Sequence, residues 1–414
     1  MKVLMVAVLL ALSPGLRAEV LDVTTPPGLP PTELVQAWLR QDPSVQEADA
    51  GLQAARHAAG MLSASPYEFT AKLSSQRRRY EGGGRTSNEW AMDVDRTVRL
   101  PGKRAIDRRL GNAEIDLAQT RVDGAMHETA RDFVGLWMDW QGAVRARELM
   151  REQVKFGEES VRVVGVRRRA GDAATLELNV IEADTAEISR QLSLAISDEE
   201  KALAKLRIRF PGADGAALTL ADPQAVTQAE SVWKERILGT SDPLRIAQVE
   251  FEKAELAASR ARADRIPDPT IGVYSASEAF SNERVIGVSL TIPIPGRHRN
   301  QRLQQALSQV DMALAARDRQ LRLLEIEVAQ AYSDAKGSFE RWQLAEQSGT
   351  KTSENARLTQ RAYSLGEVDL QTLLLSRRQA VNAADSALDA RVLALRSYYT
   401  LLVDAHLIWG LEHE

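Results

Sequence analysis

Asp93 and Asp95 stand two residues apart in a stretch where apolar and polar residues alternate. At the period of a strand both carboxylates point to one face. Two anions side by side favour cations on that face; a plain polar strand face is the alternative. A second group is basic. Lys103, Arg104, Arg108 and Arg109 follow one Pro-Gly pair, and Arg297, Arg299 and Arg302 follow another. If helices begin there, cations sit where the helix dipole disfavours them. Their repetition asks for an anionic counterpart, such as lipid headgroups at a membrane surface, against the alternative of a solvated face. The five histidines, His57, His127, His298, His406 and His413, have no ligand spacing, and there is no cysteine. With no Gly-rich phosphate loop and no nucleophile motif, the expectation is neither enzyme nor cofactor nor metal site.

The rest of the chain must position these residues. Its 414 residues carry a net charge of -4, which does not point to nucleic acid. Apolar residues make up 44% but aromatics only 5%. Long Ala-, Leu-, Gln-, Glu- and Arg-rich stretches have the composition of long helices and coiled coils. Residues 1–18 read as a secretory signal: Lys2, an apolar run from Val3 to Leu12, then Ser13-Pro14-Gly15 and Leu16-Arg17-Ala18 before Glu19. Without cysteine no lipid anchor of that kind is expected. After the signal no run of about 18 apolar residues occurs. The expectation is an exported chain that, if it crosses a membrane, crosses it as strands.

The organisation is doubled. Leu100-Pro101-Gly102-Lys103-Arg104 corresponds to Ile294-Pro295-Gly296-Arg297-His298, and Asp42-Pro43 to Asp242-Pro243. Residues 19–41 hold an extended segment and a short helix capped by Thr32. The first repeat, 42–211, is read as a helix, a hairpin over 66–100, a long helix over 103–169 and a return helix over 175–209. Residues 212–241 are a linker with a short helix. The second repeat, 242–404, has its hairpin at 269–294, long helix at 298–364 and return helix at 369–402. A tail, 405–414, follows. The long segments contain no proline, and their apolar residues recur at 3-4 spacing, as at Phe133, Trp137, Trp140 and Val144. Gly171 and Gly366 punctuate the two tips. In the hairpins one face is apolar: Tyr67, Phe69, Ala71 and Leu73, then Ile286, Val288, Leu290 and Ile292. That is the pattern of membrane β-barrel strands, and also of an ordinary half-solvated hairpin. The stretch 76–88, including Arg77–Arg79, reads as a loop, and Tyr67, Trp90, Tyr274 and Phe280 as an aromatic girdle. Four strands cannot close a membrane barrel, which needs about eight, and an open edge is not viable in lipid. Several chains must then contribute to one barrel.

On the doubled strand-Pro-Gly-basic-helix motif and the doubled tip, Gly171 with Leu176 and Gly366 with Leu370, the chain resembles the TolC-type outer-membrane efflux factors. It is most similar to the branch serving heavy-metal pumps. The resemblance covers nearly the whole mature chain. It implies a mainly α fold with a small β part, formed by a homotrimer. Four strands per chain make a 12-stranded outer-membrane barrel, and the helices make a periplasmic α-barrel. It implies a passive exit duct joined to a periplasmic adaptor (a membrane fusion protein) and an inner-membrane resistance-nodulation (RND) pump. Gly171, Asp172, Gly366 and Glu367 would be the adaptor contacts. Relatives narrow the entrance with acidic rings inside the second tip; here Thr372 and Leu375 hold those places. Glu177 and Asp369 are the nearest acidic substitutes, so the aperture has four candidates. Asp93 and Asp95 would face the lumen. Lys103, Arg104, Arg297 and Arg299 would lie at the membrane surface. Heavy-metal cations are the expected cargo, with drugs or other organic compounds as the alternative. A periplasmic adaptor ranks lower because the two halves are tandem and equivalent. A coiled-coil structural protein leaves the strand pairs unexplained.

Overall fold

The computed structural model describes residues 26–215 and 219–411. The signal segment 1–18, the last tail residues and three linker residues lie outside the described residues. The elements follow the doubled order. Helices α1 (Thr32–Gln41) and α2 (Pro43–Ala64) lead into strands β1 (Phe69–Arg79) and β2 (Thr86–Thr97). Helix α3 (Pro101–Arg169) and its return α4 (Thr175–Arg209) follow. The second half repeats this with α5 (Glu230–Thr240), α6 (Asp242–Ala263), β3 (Thr270–Glu278), β4 (Glu283–Thr291), α7 (Arg297–Ser364) and α8 (Leu370–Asp404). At 69 residues, α3 spans about 100 Å. Helices α2 and α4, 22 and 35 residues, lie end to end along it. Helices α6 and α8 fill the space between α3 and α7 in the same way. The helical layer therefore runs α2/α4, α3, α6/α8, α7; among the described elements no further long helix packs on its first or last member, and only the short α5 covers part of α7. The sheet repeats that order, β1-β2-β3-β4, all antiparallel.

Local chemistry sets the boundaries. Asp42 caps α2 by accepting from the Ser44 amide, with Pro43 in the first turn. At the matching place the cap is Ser241, which accepts from the Leu244 amide, so Asp242 is the first helical residue. Thr32 is not a cap: α1 starts on it, after Pro31. The first hairpin loop is shorter than its composition suggests. Arg77–Arg79 belong to β1, paired with Asn88, Ser87 and Thr86.

The main core is a belt around the middle of α3. Phe133 and Trp137 are fully buried. Phe133 stacks on Trp38 of α1 and Trp137, and meets Phe210 and Trp409 edge-on. Trp233 and Ile237 of α5 and Leu401–Val403 of α8 complete it. Both repeats and the segment after α8 thus share one core. Phe133→Ala is expected to cost about 3–5 kcal/mol, read as a lower denaturant midpoint at unchanged slope.

Candidate functional site

The sheet has two unlike faces. Register places Ala71, Val94, Val273 and Val288 in one row, and Leu73 and Met92 with Ile286 in the next. Phe69, Leu73, Trp90, Ile271, Val273, Ile286, Val288 and Leu290 are all exposed. A largely apolar face of this kind, interrupted by Arg96 and Ser275, marks contact with another apolar phase. The opposite face is polar. There Asp93 lies opposite Lys72 and Tyr274, and Asp95 opposite Thr70 and Gly272. The structure thus puts Asp93 and Asp95 on one face, as their spacing requires. Tyr274 is on this polar face too, and not in a girdle. Its ring crosses β4 at Gly287, where an added Cβ would come within 2.5 Å of it. Near the hairpin ends the same face carries a cluster that the sequence reading missed. Arg78 lies 3.2 Å from Glu89 and 3.6 Å from Glu278. Gln76 donates to Glu89 at 2.9 Å, and the Phe280 amide donates to Ser87 at 2.7 Å.

Where strands become helices, the basic residues part company. Lys103 is buried, contrary to a place at a membrane surface. Its Nζ donates to the Ile266 carbonyl at 2.7 Å and lies 2.9 Å from Asp268 and 3.4 Å from Asp264. An ammonium so surrounded cannot reach a headgroup. Asp268 also accepts from the Leu100 amide and the Tyr67 hydroxyl, both at 3.1 Å. Burial opposes its charge, but the Leu100 amide and Lys103 outweigh burial and hold the carboxyl below the usual range. Asp107 is clamped between Arg99, at 2.8 Å, and Arg260. Arg299 is half-buried and donates to the Asp264 carbonyl, so it too is partly withdrawn. Arg104 and Arg297 remain exposed. This network joins the two repeats under the sheet.

At the other end the two tips share one design. Gly171 and Gly366 have φ of 84° and 76°. The Gly366 amide donates to the Tyr363 carbonyl at 3.0 Å and the Glu367 amide to the Ala362 carbonyl at 2.9 Å. Gly171 and Asp172 make the same pair of bonds to Arg168 and Arg167. This is the Schellman stop, which needs a left-handed residue. The tips are tied together: Arg167 donates to Asp172 at 3.0 Å and to the Tyr363 hydroxyl at 3.2 Å. Leu178 and Ile181 of α4 pack with Val164, Leu370, Leu373 and Leu374. Higher up, Arg378 of α8 donates to Asp184 of α4 at 2.7 and 2.9 Å. Neither link was visible in local pattern. Among the aperture candidates, Asp369 caps α8, accepting from the Thr372 amide at 2.8 Å, and that bond holds its carboxyl below the usual range. Thr372 and Leu375 are exposed one turn apart, and Glu177 is half-buried. Glu367, Leu365 and Leu176 are also exposed.

Residues 233–402 match the Outer membrane efflux protein family. No curated protein sequence matches the chain. Among solved structures, the CmeC outer membrane channel of Campylobacter jejuni aligns with a TM-score of 0.75 at 17% identity. That alignment covers 92% of this chain and 86% of CmeC. The outer membrane protein VceC of Vibrio cholerae aligns at 0.73 and 15% identity, over 90% and 95% of the two chains. CusC aligns at 0.64 and 15% identity, over 90% and 91%. The fold is therefore that of the TolC-like outer membrane channels: mainly helical, with one small antiparallel sheet.

Proposed function

We propose that three copies of this chain form a passive exit duct in the outer membrane, joined at its periplasmic end to an adaptor and through it to an inner-membrane pump of the resistance-nodulation type. The observation that carries this reading is the inside-out sheet, apolar and exposed on one face, polar and acidic on the other. Such a sheet is stable in lipid only when closed. Its free edges, β1 and β4, belong to the same two sides of the chain as the free helices, α2/α4 and α7. One head-to-tail contact, repeated around an axis, satisfies both. The number three comes from the resemblance. The outer-membrane family match and the channel folds support the duct. Exposed Leu176, Leu365 and Glu367 at the tips support docking there, with Gly171, Asp172 and Gly366 as companions. Arg104 and Arg297 remain candidates for headgroup contact.

The proposed cargo is heavy-metal cations, on the resemblance and on Asp93 and Asp95, which a ring of three chains would present to the lumen as six carboxylates. In planar bilayers the purified protein should conduct and prefer cations. Asp93→Asn with Asp95→Asn should move the reversal potential toward zero while leaving conductance. Absence of any conductance would remove the duct. For the cargo, cells lacking the chain should become sensitive to zinc, cobalt or copper salts; sensitivity to organic dyes alone would replace metals with organic compounds.

A further inference from the structure

Beneath the sheet lies a recess of about 720 Å³, bounded by α2, α3, α6 and α7 and roofed by the strand ends. Thr97 and Thr270 line it and share a 2.8 Å hydrogen bond. Both are in register with the polar face of Asp93 and Asp95, so the recess opens on that side of the layer. Its own lining is balanced, with Arg260, Arg299 and Arg302 facing Asp107, Asp264 and Asp268, but Arg99 and Lys103 pair with the same acids from behind the wall. Arg99, Lys103, Arg260, Arg299 and Arg302 meet only Asp107, Asp264 and Asp268. Asp107 and Asp268 are consumed by Arg99, Arg260 and Lys103, as described above. Asp264 is already shared by Lys103 and Arg260. Arg302 comes no nearer to it than 3.7 Å, beyond hydrogen-bond range. The Arg302 side chain is 61% exposed. Among the described residues, Arg302 and Arg299 of α7 hold only that long ion pair and the Asp264 backbone carbonyl, at a wall that also offers Leu62, Leu110, Ala257 and Ala261.

We propose that this recess binds an organic anion: a sulfonate, phosphate or carboxylate held by Arg302 and Arg299, with an apolar body against the Leu and Ala side chains. Its volume suits a small molecule, and a planar guanidinium pairs bidentately with such oxyanions. The recess lies within one chain; only its opening to a conduit rests on the duct reading. In the assembled duct it would retain organic anions at the level where helices give way to strands, while cations pass.

The test is calorimetric titration of the purified full chain in detergent with 1-naphthalenesulfonate, beside the uncharged 1-naphthalenemethanol. Saturable binding of one sulfonate per chain is expected, with the alcohol at least tenfold weaker. Arg302→Ala should weaken the sulfonate about tenfold and Arg302→Glu more, while Arg357→Ala, far down α7, should change nothing. Equal affinity for the two probes, or wild-type affinity in Arg302→Glu, would overturn the site. Complete displacement of the sulfonate by phosphatidylglycerol would overturn it as well, giving the recess to a lipid. Sulfonate binding by a protein that forms no ring would sink the duct and keep the site; a ring that binds no sulfonate would do the reverse.

Discussion

Replacing Gly366 by proline is expected to abolish efflux while the protein still assembles in the outer membrane. Gly366 closes α7 at φ 76°, and its amide donates to the Tyr363 carbonyl. Proline is held near -65° and has no amide hydrogen. Both bonds of the stop are lost, and Glu367 with the start of α8 must be re-aimed. No heavy atom lies within 4 Å of a Cβ added at this glycine, so the defect is one of direction and not of crowding. The strands and the aromatic belt are far up the helices and have no share in it. Gly366→Asn, which tolerates the left-handed region, should keep most activity, and Gly366→Ala should lie between, at a cost of about 1–2 kcal/mol. Resistance in cells reads the first effect, and the amount of outer-membrane protein reads the second. Full resistance in Gly366→Pro would take the tip out of the mechanism.

The largest stability effect is expected at Lys103→Met. The methionine fills the space but leaves Asp268 without its only cation among the described residues, while Asp264 keeps Arg260. Removing one partner from a buried ion network costs about 3–5 kcal/mol, because the other charges stay desolvated. Part of the loss should return in Lys103→Met with Asp268→Asn, since the second change removes a charge that has lost its partner. Arg104→Met, one residue away and exposed, should shift the melting temperature very little. Thermal unfolding of the three variants decides this. Equal melting of Lys103→Met and wild type would show that the network is not what joins the two repeats beneath the sheet.

The contrast between Lys103 and Arg104 shows where sequence reading reached and where it stopped. The long helices and the two tips were legible because each rests on local chemistry, whereas the end of β1 was not, since Arg77–Arg79 read as loop. A change of period from two to 3.6 marks Leu100 to Lys103, and a glycine that must turn left-handed marks Gly171 and Gly366. Two neighbouring cations at a helix start look alike in such a reading. Only the partner separates them, and Asp268 is 165 residues further on. Arg378 and Asp184, 194 residues apart, were hidden for the same reason. Tyr274 is a different case. Strand parity already places it opposite Ile271 and Val273, so its aromatic character outweighed better local information. The polar face was legible through Asp93 and Asp95, whereas the Arg78, Glu89 and Glu278 cluster needs the pairing of β2 with β3. The aperture candidates are local too, but the cap that Asp369 supplies is a role any helix start can claim.

The central claim is that β1 of one chain pairs with β4 of the next until a ring of three closes. Since the chain has no cysteine, introduced thiols report on this contact without background. Cysteine at Ala71 on β1, combined in turn with cysteine at Arg284, Ile286, Val288 or Leu290 on β4, keeps every pair on the apolar face. Mild oxidation in membranes should give, at one register, a covalent product that stops at three chains on a non-reducing gel. A ladder running past three, dimers only, or no cross-link at any of the four positions would contradict the shared barrel.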